Sequence, residues 1–210
     1  MADLKAIAEA VIKGDQEKAT ELTKAALEEG APVKSILDDG LIGGMDIIAA
    51  RWKKNEVYIP EVLIAARAMK TAMEVLAPEL TKAGVKSVGT YMIGTVEGDL
   101  HDIGKNLVAM MLKGAGFEVS DIGIDVPAER FVEQAKSVGP QIIGMSALLT
   151  TTMPAMDKTL KAIRQAGVTA KIMIGGAPVT QVYADKIGAD AYAPDAATAV
   201  DIAKQLLASA

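Results

Sequence analysis

The sequence predicts an α/β protein in two parts: an N-terminal four-helix bundle followed by a doubly wound, five-stranded parallel sheet. Three observations predict it. Up to about Leu80 the apolar residues recur at spacings of three and four, and beyond about Val85 β-rich runs alternate five times with helical stretches. Aromatics are only 3% of a chain that is 50% hydrophobic, so the core must be built mostly from Ala, Val, Ile, Leu and the 11 Met. That mixture suits close helix packing and buried parallel strands better than an all-β sandwich.

In the first part the apolar positions are Leu4, Ile7, Ala8 and Val11; then Ala19, Leu22 and Ala26; then Ile36, Leu37, Leu41, Met45 and Ile48; then Val62, Ala65, Met69, Ala72, Met73 and Leu76. Each set makes one face of a helix. Gly14-Asp15, Gly30-Ala31-Pro32 and the stretch from Asn55 to Pro60 supply breaks of the length that joins antiparallel neighbours, and Pro32 and Pro60 suit first turns. Met45, Met69 and Met73 fall at helical spacing and read as bundle core.

Around Pro78 to Val85 the rhythm changes, which places a linker there and divides the chain into 1–84 and 85–210. The predicted strands are Ser87–Met92, Glu118–Ile122, Gln141–Ser146, Lys171–Ile174 and Ala189–Tyr192. The predicted helices between and after them are Ile103–Ala115, Ala128–Ser137, Met153–Ala166, Val179–Ile187 and Ala196–Ala208. Strand alternating with helix implies a parallel sheet covered on both faces, whose ligands sit beside the carboxyl ends of the strands at the switch point. The segments carrying His101, Ser146 and Gly175 all follow strands at that edge.

Composition removes several classes of function. The chain has 210 residues, a net charge of −5 and a sequence pI near 5, with no run of Lys and Arg dense enough to track phosphates, so nucleic acid is not an expected partner. With no cysteine and one histidine, disulfides, thiolate zinc sites, cysteine-held iron–sulfur clusters and multi-imidazole metal sites are excluded. Met1-Ala2-Asp3-Leu4-Lys5 lacks the basic start and apolar core of a secretory signal, and no stretch has 18 uncharged apolar residues. The expectation is a cytoplasmic protein without a membrane span.

The most informative stretch is Gly98-Asp99-Leu100-His101-Asp102-Ile103-Gly104, which puts the single histidine at a strand-to-helix junction. Imidazole is a good transition-metal ligand, and a carboxylate two residues away can accept the proton of its other ring nitrogen, setting tautomer, orientation and basicity together. Gly104 lets the backbone approach something flat and large. On its own, Asp-x-His-x-x-Gly also describes a histidine that only caps or packs. Ser146-Ala147-Leu148-Leu149-Thr150-Thr151-Thr152 and Gly175-Gly176-Ala177-Pro178 can likewise be read as a helix-capping loop and a tight turn. Together, their small residues leave a channel lined with hydroxyls and bare backbone, suited to a long, flat, partly polar group.

These three segments, in this order and at about these separations, resemble the signature of cobalamin-binding domains. The resemblance extends upstream: Gly44-Met45-Asp46, Arg51-Trp52-Lys53-Lys54, Ile59-Pro60-Glu61-Val62 and Ala65-Ala66-Arg67-Ala68-Met69-Lys70 look like the helical cap of cobalamin-dependent methionine synthase and of the small corrinoid proteins of methyltransferase systems. Nearly the whole chain is covered. The resemblance implies a Rossmann- or flavodoxin-like binding domain for cobalamin or a related cobamide, held base-off with His101 as the lower axial ligand to cobalt. Asp99 matches the carboxylate bonded to that histidine, and Thr152 falls where the family has a third, hydroxyl-bearing member of the relay.

The resemblance further implies that Gly98, Asp102, Ile103 and Gly104 lie against the cofactor, and that Ser146, Leu148, Thr150, Gly175, Gly176, Tyr192 and Ala193 line its nucleotide tail. Trp52, Ile59 and Val62 align with side chains that shelter the upper face of the corrin. A single Trp is commonly a core or interface anchor, yet Trp52 stands among Arg51, Lys53 and Lys54, where a large ring needs something apolar to cover. The implied role is a methyl carrier, not a complete enzyme alone: cobalt(I) takes a methyl group at a donor-specific methyltransferase and gives it up at an acceptor methyltransferase using tetrahydrofolate or a thiol. A reductive activator is the third implied partner, and the linker is the expected hinge of the cap. Methanol, methylamines, betaines and methoxylated aromatics are the donors such subunits serve.

Three other roles share parts of this pattern. A carbon-skeleton mutase subunit has the same signature, but a substrate-binding barrel covers its cofactor, leaving a helical cap superfluous. A cobalamin-responsive regulator needs a DNA-reading module for which this acidic chain has no residues left. A flavodoxin-like domain for another cofactor would differ in its absorbance spectrum.

Overall fold

The computed structural model describes residues 2–209 and resolves two compact units, one running to Ser87 and including Gly114–Gly116, the other formed by Val88–Lys113 and Phe117 onward. The first unit is helical: α1 (Leu4–Lys13), α2 (Gln16–Glu28), the short α3 (Val33–Ser35), a π-helical stretch (Ile36–Ile42) leading into α4 (Gly43–Lys53), and α5 (Ile59–Lys82). Asp3 and Asp15 cap α1 and α2 by accepting from the amides of Ala6 and Lys18. The α1 helix packs on α2, the π-helical stretch, α4 and α5, and α2 packs on α5. Ile7, Val11, Ile36, Leu41, Met45, Ile48, Met69 and Leu76 are buried, as their helical spacing predicts.

Two features differ from the sequence reading. The third helix is not uniformly α, because i to i+5 pairing from Ile36 to Ile42 admits an extra residue in the turn that contains Gly40, which periodicity alone does not reveal. The last helix runs through Pro78 to Lys82, leaving Ala83–Gly89 as the non-helical connection to the first strand. Proline costs one i to i−4 hydrogen bond, and here the helix continues for one further turn beyond it.

The second unit alternates β1 (Thr90–Thr95), α6 (Ile103–Gly114), β2 (Glu118–Asp121), α7 (Ala128–Val138), β3 (Ile142–Ser146), α8 (Met153–Gln165), β4 (Lys171–Gly175), α9 (Gln181–Ile187), β5 (Ala191–Ala193) and α10 (Ala196–Ala208). All strands are parallel, in the order β2-β1-β3-β4-β5. The order reverses at β1, so the crevice beyond the carboxyl ends of β1 and β3 is the switch point. The doubly wound α/β sheet expected from the sequence is therefore present. The first strand is shifted by three residues, because Ser87–Gly89 precede the ladder.

Met92, Ile143, Ile172 and Ile174 pack with Phe131 and Leu160 in one core cluster. On β1, Tyr91 and Ile93 alternate with Met92, and Tyr91 is fully buried over Gly144, whose missing side chain leaves room for the phenol ring. Strand register puts Thr95, Ser146, Gly175 and Ala193 in one row at the carboxyl edge, where the segments after β1, β3, β4 and β5 begin together.

Candidate functional site

At that edge Asp99 is almost completely buried and His101 stands half exposed beside it. Asp99 Oδ1 accepts from His101 Nδ1 at 2.7 Å and from the His101 amide at 3.1 Å. Asp99 Oδ2 accepts from the Thr152 hydroxyl at 2.7 Å, the Leu148 amide at 2.7 Å and, more distantly, the Leu149 amide at 3.4 Å. Burial pushes this carboxyl up, but the bonds from Thr152, Leu148 and His101 together hold it well below the usual carboxylate range. An ionised carboxylate can only accept, so the proton sits on His101 Nδ1 and the Nε2 lone pair is left for a ligand.

Thr152 is buried at the N-terminus of α8, and its hydroxyl lies 2.9 Å from the Leu149 carbonyl as well as within reach of Asp99. The structure thus brings His101, Asp99 and Thr152 into one hydrogen-bonded chain, with the backbone of the Leu148-Leu149 loop closing it. Around it lie Leu100, Ile103, Leu148 and Leu149, apolar side chains that are 42 to 72% exposed. Thr150 is exposed in the same loop, Ser146 is half buried at the end of β3, and Asp102 accepts from the side chain of Asn106 at 3.0 Å.

The glycines divide by what the fold demands of them. Gly98 has φ +82° and Gly176 φ +128°, both in the region that side chains avoid, and a Cβ on Gly176 would overlap the Ala147 carbonyl. A Cβ on Gly175 would meet the Ala193 carbonyl oxygen at 2.9 Å. Gly104 is different: nothing lies within 4 Å of where its Cβ would be, and its φ is ordinary, so nothing within the chain demands a glycine there. Tyr192 is half buried and Ala193 buried on β5.

In the helical unit Trp52 is half buried in α4 and Ile59 is 42% exposed at the start of α5. Val62 departs from the expectation that it lines a ligand: it is fully buried, one turn beyond Ile59 on the face of α5 that carries Ala65, Ala66 and Met69. Ile59 opens the helix, whereas one turn further along the same face the other helices of the unit cover α5.

Sequence reasoning missed the braces behind this site. The Thr95 hydroxyl donates to the His101 carbonyl at 2.9 Å, Asp125 accepts from the Gly98 amide at 2.7 Å, and buried Lys105 pairs with Asp121 and donates to Asn106 at 2.7 Å. Thr95 lies beyond the predicted first strand, which ended at Met92, and gave no signal of its own. Asp125 and Lys105 carried none, because their partners lie 27 and 16 residues away.

Buried carboxylate, oriented imidazole and switch-point sheet define a nucleotide- or cofactor-binding α/β domain, and comparison with known proteins specifies which. Residues 89–201 match the family described as B12 binding domain, and residues 3–77 match a second family of the same description. The chain belongs to the B12-binding family, and within it to the corrinoid proteins of methyltransferase systems. It is 45% identical to trimethylamine corrinoid protein 1 of Methanosarcina acetivorans over 95% of this chain and 94% of that protein. It is 40% identical to a corrinoid protein of Desulfitobacterium hafniense over 99% of this chain and 98% of that one. Among solved structures, the methanol:cobalamin methyltransferase complex MtaBC of Methanosarcina barkeri aligns with a TM-score of 0.89 and 31% identity, covering 99% of this chain and 80% of that chain. A cobalamin-binding protein of Desulfitobacterium hafniense aligns at 0.82 and 32% identity, covering 98% and 99%.

Proposed function

We propose that this chain is the methyl carrier of a corrinoid-dependent methyltransferase system. It binds cobalamin or a related cobamide base-off, with His101 on the lower face of cobalt. It serves a donor-specific methyltransferase, an acceptor methyltransferase and a reductive activator, all in the cytoplasm. The observation that carries the reading is the Asp99–His101 pair: Nδ1 is committed to a carboxylate, leaving Nε2 as a single, half-exposed donor. Among the described residues no group of three or more His, Cys, Asp or Glu could hold a metal ion. A metal at His101 must therefore bring its other ligands with it, as a corrin does.

The surroundings fit such a macrocycle. Gly104 leaves open space beside the ring, and Leu100, Ile103, Leu148 and Leu149 offer apolar surface around it. Once bound, the corrinoid supplies the nucleophile as reduced cobalt, so the protein needs none of its own. His101 would ligate from below, Asp99 would hold the proton on Nδ1 and raise the basicity of Nε2, and Thr152 would steady the carboxylate. The relatives' names span trimethylamine, dimethylamine and methanol, so we place the donor among small methylated amines and alcohols, chosen by the partner enzyme. Ser146, Thr150, Gly175, Gly176, Tyr192 and Ala193 are proposed along the nucleotide tail, and Trp52 and Ile59 as upper-face cover. No described helix is long and apolar enough to cross a membrane.

Electron paramagnetic resonance of the reconstituted cobalt(II) form tests this directly. One coordinating imidazole nitrogen splits each cobalt line into three, and protein labelled with nitrogen-15 histidine reduces three to two. A pattern unchanged by the label would assign the axial nitrogen to the cofactor and overturn the role of His101.

A further inference from the structure

The Asp99–His101 geometry depends on where the main chain holds Gly98 and Asp99, and that is decided from the opposite side of β1. The loop between β2 and α7 carries Asp125, which has φ +51°, one of two non-glycine residues in the left-handed region among those described. In that conformation its side-chain Oδ1 accepts from the Gly98 amide at 2.7 Å while its own amide donates to the Asp99 carbonyl at 3.0 Å. These two contacts grip both ends of the Gly98-Asp99 dipeptide, and so fix the backbone torsions that aim the Asp99 side chain.

The loop that carries Asp125 is itself anchored. The Val126 amide donates to the Thr95 carbonyl at 3.0 Å, and the Thr95 amide to the Gly123 carbonyl at 3.0 Å. The clamp is thus joined to the same Thr95 whose hydroxyl holds the His101 carbonyl. Two neighbours of β1 hold the histidine loop, each from its own side. The segment after β3 holds the Asp99 carboxylate through Leu148 and Thr152, and the segment after β2 holds the Asp99 main chain through Asp125.

We propose that Asp125 is a positioning residue for His101, acting by clamping the Gly98-Asp99 main chain so that the carboxylate meets Nδ1. Its consequence for cobalt ligation rests on the function proposed above, but the clamp itself does not. Asn at this position keeps a side-chain acceptor and tolerates positive φ; Gly tolerates the φ but has no acceptor. Asp125→Gly therefore removes the side-chain half of the grip, on the Gly98 amide, while keeping the main-chain bond to Asp99 and adding no strain, and Asp125→Asn restores the lost half.

The test uses the full-length protein without cofactor. In Asp125→Gly the Gly98 amide should exchange with solvent about tenfold faster or more, as expected for losing a hydrogen bond to a charged acceptor, while the Ile143 amide in the central strand is unchanged. The nitrogen-15 shifts of the His101 ring should move away from the Nδ1-protonated tautomer. Both readouts should return towards wild type in Asp125→Asn. Equal acceleration at Gly98 and Ile143, which marks general loosening, would overturn the proposal. So would wild-type ring shifts in Asp125→Gly, or an Asp125→Asn as perturbed as Asp125→Gly. Should these apo results hold while wild-type cobalt(II) protein lacks the histidine splitting, the corrinoid role of His101 falls and the clamp stands.

Discussion

After β1 the chain is held by side chains, and after β4 by the lack of them. Asp99 collects hydrogen bonds from two loops, and Thr95 adds another to His101, so the β1 segment is held by a polar network. Gly175 and Gly176 instead let backbone meet backbone: the Ala147 amide donates to the Gly175 carbonyl at 3.2 Å, and a side chain on Gly176 would collide with Ala147. Both segments begin from the same row of the sheet. The first device orients a chemical group, whereas the second clears a surface, and a site for a large flat ligand uses both.

Breaking the backbone device should have the largest effect. Gly176→Ala puts a methyl group onto the Ala147 carbonyl at a φ that alanine avoids, so a loss of about 3 kcal/mol or more is expected in denaturant unfolding of the apoprotein. Stability within about 0.5 kcal/mol of wild type would show that the loop relaxes freely and that the contrast between the two segments is weaker than drawn.

Breaking the polar device should come next. Asp99→Ala leaves the Leu148 and His101 donors without their acceptor, at a cost of about 2–3 kcal/mol. It also alters the response to acid. Because the folded carboxyl lies below its ordinary value, the unfolded chain binds the proton more readily; the stabilisation is full above the ordinary value near pH 4 and is lost as pH falls further. Wild-type stability should therefore decline more steeply below about pH 4 than that of Asp99→Ala, and parallel acid limbs would contradict the bonding described.

Thr152→Val sharpens the comparison by removing one hydroxyl while keeping the shape. A loss of about 1–2 kcal/mol is expected, recovered largely in Thr152→Ser. Loss without recovery by serine would assign the effect to packing.

The smallest effect on folding belongs to Gly104→Ala. With open space around the new methyl group and a helical position, the apoprotein should be unchanged or up to about 1 kcal/mol more stable. Corrinoid retention should nonetheless weaken. A variant that gains stability and binds cofactor as well as wild type would separate Gly104 from the ligand surface.

Much of the arrangement was legible in residue order. Helical spacing identified the bundle helices and their buried Met45 and Met69, and alternation of strand and helix gave all five strands of the sheet. The short spacing of Asp99 and His101 was enough to anticipate their pairing, since two residues apart they must be neighbours. What escaped were features set by distant partners or by competition. Pro78 reads as a break, yet α5 continues past it to Lys82. Val62 was expected beside Ile59 as cover for a ligand, but one turn into α5 their shared face is already buried.

By itself the sequence determined the two-part α/β plan, the single imidazole with its carboxylate, and the glycines at the carboxyl edge, because each depends on local spacing or on a residue type the chain has only once. Tertiary structure alone decided that Thr152 and the Leu148 amide close on Asp99 from 49 and more residues away, that Asp125 grips the other side, and that Gly176 is demanded by a neighbouring carbonyl while Gly104 is not. The reason is geometric. A parallel sheet brings the ends of separate strands into one row, and only when that row forms does each donor meet its acceptor.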